Sequence, residues 1–303
     1  MRVAAIDCGT NSVRLLIADV VGGRLTDVAR RMEIVRLGEG VDRTGMLAPA
    51  AVARTRTALL GYAAEIAELG IDRVRMCATS ASRDAANAAD FRDMVRSVLG
   101  VDPEVISGDE EARLSFAGAV HGLAAAPPPY LIVDIGGGST EFVTGDSTIS
   151  GALSVDIGCV RMTERHLRGD PPTAAEIAAA EADITAAVDR ALAAVAGREA
   201  ETLVGLAGSV TTVTALALGL PAYEASRIHH ARVGYQAVAK VTADLLAAPV
   251  AERRALPVMH PGRADVIGAG ALILRIIMER SGQQSVVASE HDILDGIAFG
   301  LAH

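Results

Sequence analysis

Leu131-Ile132-Val133-Asp134-Ile135-Gly136-Gly137-Gly138-Ser139-Thr140-Glu141 runs from an apolar strand into an aspartate, a glycine turn, two hydroxyl side chains and an acid. Three adjacent glycines let the backbone approach a ligand with no Cβ in the way. Successive free N–H groups in such a turn form a concavity that attracts anions, phosphate above all. Asp134 at the strand end can hold a hydrated cation, which would offset phosphate charge. A tight hairpin turn explains the same glycines, so this stretch alone leaves both readings open.

A second copy lies near the N-terminus. Ile6-Asp7-Cys8-Gly9-Thr10-Asn11-Ser12 follows the apolar strand Val3 to Ile6, and Asp7, Gly9 and Ser12 match Asp134, Gly136 and Ser139. Each pair is offset by 127 residues (134 − 7, 136 − 9 and 139 − 12). Self-similarity at this scale predicts a duplicated domain. Two phosphate loops facing each other would form a cleft that clamps a phosphate chain from both sides.

Composition bounds the partners. At 303 residues the chain suits about two domains, and its 50% apolar content can fill sizeable cores. Tryptophan is absent, and Phe and Tyr number four each, so base stacking is a poor basis for binding. A net charge of −9 argues against general nucleic-acid binding. Lys240 is the sole lysine; arginine suits bidentate phosphate contacts, although genome composition explains the bias as well. Cys8, Cys77 and Cys159 are scattered without a Cys-x-x-Cys, which fits a reducing cytoplasm. The opening strand carries Asp7 and does not read as a signal peptide. Arg275 interrupts the longest apolar stretch near the C-terminus, so no membrane span is expected.

The rest of the chain reads as alternating strands and helices. Val13 to Val20 and Met32 to Leu37 are expected strands, with a turn at Gly22-Gly23 between them. Pro49 to Leu69 has helical spacing, and Gly70 is a good stop. Val74 to Ala78 is a strand ending at Thr79-Ser80, and Arg83 follows at a helix start, where it reads as an anion contact or a solvated surface residue. After the short strand Val105-Ile106, Ser107 and Glu110 fit a capping box. Glu111 is left unexplained by that box; the helix dipole accounts for it, and so does a catalytic role. Ala124 to Pro129 reads as a linker, setting domain I at 1–124 and domain II at 125–290.

Beyond the glycine loop, Phe142-Val143 and Ala152 to Val155 are expected strands and Gly158 to Arg161 a turn. Thr173 and Glu176 cap a long helix ending at Gly197. Leu203 to Leu206 leads into Ala207-Gly208-Ser209, a third small-residue turn at a helix start, suited to a phosphate or a nucleoside, or simply to tight packing. His229-His230 lacks metal spacing and reads as loop or surface. Pro261 to Met278 is an expected helix, Val286 to Ala288 a strand and Asp292 to Leu301 a last helix. A Walker loop, a dinucleotide fingerprint, a Gly-x-Ser-x-Gly elbow and a His-Glu-x-x-His site are all absent from the sequence. What remains is a twofold phosphate clamp with carboxylates at its loops, and phosphoryl transfer needs mainly positioning and charge neutralisation.

Four linked motifs carry a resemblance: Asp7 to Leu15, Ala78 to Ala85, Ser107 to Leu114 and Asp134 to Glu141. In order and spacing they resemble the exopolyphosphatase / guanosine pentaphosphate phosphatase family over nearly the whole chain, in its short two-domain form. The resemblance implies an α/β fold of two ribonuclease-H-like domains of the actin-like ATPase superfamily around a cleft. The last helix, about 291–303, would return to domain I. It implies that Glu111 orients or deprotonates the attacking water. It places phosphate contacts at Gly9, Thr10, Asn11, Ser12, Arg14, Arg83, Gly136, Gly137, Gly138, Ser139 and Thr140. Metal-linked acids fall on Asp7, Asp134 and Glu141, with Mg2+ or Mn2+ as cofactor and room for a monovalent cation. Ala207-Gly208-Ser209 stands in place of the commoner Gly-Gly-Thr, and Leu294 stands where many relatives have arginine.

The implied activity is a cytoplasmic exophosphatase acting on inorganic polyphosphate, or on the 5′ end of guanosine pentaphosphate. An ATPase or sugar kinase of the same fold would need a sugar pocket, for which no motif is present. A non-catalytic polyphosphate or alarmone sensor would leave Glu111 without a task beyond capping. A homodimer is the base-rate expectation for a protein of this kind.

Overall fold

The computed structural model describes residues 1–120, 123 and 126–301. Of the expected linker, residues 124 and 125, where the domain boundary was placed, lie outside the described residues. The chain divides into two compact units: Met1–Gly118 together with Asp292–His303, and Ala119–His291.

The first unit is built on strands β1 (Arg2–Cys8), β2 (Ser12–Val21), β3 (Arg24–Ile34), β4 (Arg73–Ala78) and β5 (Glu104–Val105). Among the described residues they form one sheet in the order β3-β2-β1-β4-β5. Strand β2 runs antiparallel between β1 and β3, while β1, β4 and β5 run parallel. Strand β1 is buried on both faces, and alternation sorts its residues. Ala4, Ile6 and Cys8 join a core with Leu59 and Phe91, from the helices Pro49–Leu69 and Ala88–Leu99. Val3 and Ala5 join the opposite core with Leu114, Leu294 and Ile297. These come from the helices Gly108–Val120 and Ile293–Gly300. The two helices cross with almost no separation: a Cβ on Gly296 would overlap the carbonyl of Leu114, and one on Gly118 that of Asp292.

The second unit carries β6 (Tyr130–Ile135), β7 (Thr140–Gly145), β8 (Ile149–Val155), β9 (Thr202–Leu206), β10 (Arg232–Gly234) and β11 (Ser285–Ala288). Its sheet order is β10-β11-β9-β6-β7-β8. Read from β8, the first five strands repeat the order and directions of the first sheet, with β10 added at the edge. The same ribonuclease-H-like strand order in both units agrees with the duplication that the paired motifs predict and with the fold that the resemblance implies. The core joins Leu131, Val133 and Phe142 of the sheet to Ile184 and Val188 of the helix Ala174–Ala194 and to Ile273 and Ile277 of Ile267–Ser281. No helix among the described residues is long and apolar enough to cross a membrane.

Several local expectations are corrected. The Gly22-Gly23 turn, with both φ values positive, closes a hairpin, so β3 begins at Arg24 rather than Met32. Gly158 to Arg161 is no simple turn, because Cys159–Arg165 is helical. Arg83 lies inside a short helix, Ser80–Asp84. The capping box at Ser107 is half formed: Ser107 Oγ accepts from Glu110 N at 3.2 Å, but the Glu110 carboxylate turns toward Arg75, 3.7 Å away. The box at Thr173 and Glu176 is complete, and its helix stops at Ala194, ahead of Gly197. Pro261 opens only a single 3-10 turn before the helix Ile267–Ser281.

Candidate active site

Each aspartate-bearing turn is pinned by its carbonyls. In the first, Gly9 N donates to Ser12 O at 2.9 Å. The carbonyl of Thr10 accepts from Gly38 N at 2.9 Å, and that of Asn11 from Val35 N and Arg36 N. In the second, Gly136 N donates to Ser139 O at 3.0 Å. The carbonyls of Gly136 and Gly137 are bonded by the first amides of the helix Cys159–Arg165, and Gly138 O accepts from Arg161 Nε at 2.8 Å. That helix can dock only because residue 158 is glycine; a Cβ there would overlap Gly137. Among the described residues, the amides of Thr10, Asn11, Gly137 and Gly138 donate to no protein group. Tied carbonyls and open amides are what an anion-binding turn requires. Ser139 and Thr140 are buried, and Thr140 Oγ1 is committed to Ile157 O.

The first turn gathers the other motifs of its unit. Because β4 lies parallel beside β1, Thr79-Ser80 arrives next to the turn, and Thr10 Oγ1 and Ser80 Oγ share a hydrogen bond of 2.8 Å. Arg83 reaches β5 and the helix after it, donating from Nη1 to Ile106 O at 2.9 Å and to Glu111 Oε2 at 3.3 Å. Glu111 is 8% exposed. The Oδ1 of Asn11 and the hydroxyl of Ser82 are buried with no hydrogen-bond partner among the described residues.

Asp7 sits opposite Arg14 in the β1–β2 ladder. Arg14 donates to Asp7 Oδ2 from Nε at 3.0 Å and from Nη2 at 2.8 Å, and its Nη1 bonds Asp292 Oδ2. Asp7 Oδ1 takes no hydrogen bond among the described residues, although the residue is only 5% exposed. Burial raises the Asp7 carboxyl above the usual aspartate range, with Arg14 pulling it down and Asp292 adding to the rise. Burial alone would lower Arg14, but Asp292 and Asp7 outweigh it and keep the guanidinium charged. Arg14 is thus held by two carboxylates rather than offered freely to phosphate.

In the second unit the residue opposite Asp134 is Glu141, the position equivalent to Arg14. Side chains directly opposite in an antiparallel pair lie on one face, so two buried acids stand together where the first unit pairs an acid with a base. Glu141 Oε1 accepts from Ser154 Oγ at 2.8 Å. Among the described residues no cluster of three or more His, Cys, Asp or Glu could cage a metal. The carboxylate oxygen left open at Asp7 in the first unit, and the adjoining acids Asp134 and Glu141 in the second, each fit a cation such as Mg2+, which typically takes one or two carboxylates and completes its shell with water and phosphate.

Arg263 covers the third turn. It is buried, its guanidinium lies where a Cβ on Gly208 would stand, and Nη1 donates to Thr212 Oγ1 at 2.8 Å. His229 and His230 stack at 3.7 Å, and His291 tilts against His229 at 4.4 Å, in a corner closed by His230 N to Ala288 O. Sequence reasoning missed Ser80, Arg263 and Asp292 as contributors. Ser80 was within reach, since it shares a motif with Arg83; nothing local marks the other two.

Residues 16–303 match the Ppx/GppA phosphatase family. The chain is 51% identical to Exopolyphosphatase 2 of Mycobacterium tuberculosis, over 99% of this chain and 98% of that protein. The crystal structure of an exopolyphosphatase-like protein matches with a TM-score of 0.96 at 43% identity, covering 99% of this chain and 97% of that one. An Aquifex aeolicus member of the Ppx/GppA family matches with a TM-score of 0.84 at 30% identity, covering 100% and 97%. With a family match over residues 16–303 and a relative 51% identical over 99% of the chain, the chain belongs to the Ppx/GppA phosphatase family.

Proposed function

We propose that this protein is an exopolyphosphatase, releasing orthophosphate from the ends of inorganic polyphosphate. The observation that carries the reading is the pair of turns in which the carbonyls of Thr10, Asn11, Gly136, Gly137 and Gly138 are engaged while the amides of Thr10, Asn11, Gly137 and Gly138 are left for an anion. The full-length relative named Exopolyphosphatase 2 supports polyphosphate over guanosine pentaphosphate as substrate. Glu111, held by Arg83, accepts a proton from water as the water oxygen attacks the terminal phosphorus. The P–O bond to the bridging oxygen breaks, giving orthophosphate and a chain shorter by one phosphate. The open amides of Thr10 and Asn11 in the first unit, and those of Gly137 and Gly138 in the second, are the groups offered to phosphate oxygens. Asp7 in the first unit, and separately Asp134 with Glu141 in the second, are the acids that would hold a divalent cation, which when bound neutralises phosphate charge.

The test compares phosphate release from long polyphosphate, short polyphosphate, guanosine pentaphosphate and ATP. For Glu111→Gln we expect turnover to fall about a hundredfold or more, with polyphosphate binding retained. A wild-type protein that binds polyphosphate but turns over none of these substrates would replace the enzyme with a sensor.

A further inference from the structure

Asp292 divides its two oxygens between two tasks. Oδ1 accepts from Leu294 N at 3.0 Å and caps the last helix; Oδ2 takes Arg14 Nη1. The same guanidinium spends Nε and Nη2 on Asp7 Oδ2 and leaves Asp7 Oδ1 open. Two carboxylates therefore share one guanidinium. The trio carries one net negative charge, with Asp7 and Asp292 only 5% and 3% exposed. Buried charge of one sign draws the opposite sign strongly, because little solvent screens it. A guanidinium anchored from both sides also cannot wrap around Asp7 and close its free oxygen. The N-cap position accounts for an acid here through the helix dipole, but it does not account for the contact with Arg14.

We propose that Asp292 is a positioning residue that acts through Arg14: it holds the guanidinium off Asp7 Oδ1 and supplies the spare negative charge that seats a divalent cation there. This rests on the reading of Asp7 as a cation ligand of the proposed hydrolase. With the cation in place the trio turns net positive, which suits a phosphate; without it, the trio repels one.

The probe is Mn2+ alone, titrated into the full chain without polyphosphate and followed by the electron paramagnetic resonance of the free ion. The Asp7 site is defined as the binding lost in Asp7→Asn. Asp292→Asn keeps a capping side chain and removes the charge, and we expect it to weaken that site about tenfold. Adding Arg14→Gln to Asp292→Asn returns the net charge to that of wild type and should restore Mn2+ affinity to within about threefold. Asp295→Asn, on the same helix but paired with Arg30, should cost stability and leave Mn2+ binding unchanged. Equal Mn2+ affinity in wild type and Asp292→Asn, or no recovery in the double variant, would overturn the proposal. So would a wild type with no Asp7-dependent Mn2+ site. In that last case polyphosphate hydrolysis by the same preparation would leave the hydrolase reading standing. The expected Mn2+ pattern in a protein that hydrolyses nothing would sink the hydrolase alone.

Discussion

Arg83 serves two acceptors from one nitrogen, the Ile106 carbonyl and the Glu111 carboxylate. The guanidinium is planar and fixed, so it ties the acid to the sheet edge in one orientation; an ammonium on a flexible stem cannot. Arg83→Lys should lower kcat about tenfold while leaving KM for polyphosphate within about threefold, measured by phosphate release. Glu111 and Arg83 were both visible in the sequence as motif residues, each in the first helix after a strand. The fate of Arg14 was not visible. Its partner Asp292 lies 278 residues away, and an acid before an apolar helix announces a cap, not an ion pair. The phosphate role expected for Arg14 therefore has to be judged against two carboxylates that already hold it.

The crossing of Gly108–Val120 with Ile293–Gly300 depends on what is missing from both helices. A methyl group on Gly296 would meet the backbone of Leu114, which cannot turn aside as a side chain can. Gly296→Ala should destabilise the fold by about 2 kcal/mol or more despite its better helix propensity, read as a shift of the urea midpoint. Long, evenly patterned elements were legible: Pro49–Leu69 was read to the residue. Strand β3 was not. Arg24, Thr26, Asp27 and Val28 are solvent-exposed on an edge strand, so its first half lacks the apolar alternation that marks a half-buried strand. The helix Cys159–Arg165 also escaped, because its start is fixed by the carbonyls of Gly136 and Gly137 rather than by a local capping residue.

On the scale of the molecule, the three cysteines Cys8, Cys77 and Cys159 are all buried. Burial pushes the Cys77 thiol up to about 12 and raises Cys8 and Cys159 as well. At pH 8 a thiol reagent should therefore label none of the three in the native protein and all three in denaturant. The sign for stability follows from the same shift. The thiols favour the folded state below their ordinary value of 9.0, and this preference is lost as the pH climbs toward 12. Thermal melts should thus show a steep decline on the alkaline side, shallower in Cys77→Ala. The duplication was legible because one short pattern recurs at a fixed offset and each copy follows a buried strand; the ribonuclease-H-like order came only with the family resemblance. Side chains that meet across the sheet were not, because spacing carries no information about them. The return of the helix Ile293–Gly300 to β1 also sets a timetable. A ribosome finishes all of the second unit before it delivers that helix. The side of β1 that carries Val3 and Ala5 has only part of its cover until then, and the half of the protein made first is the half that matures last.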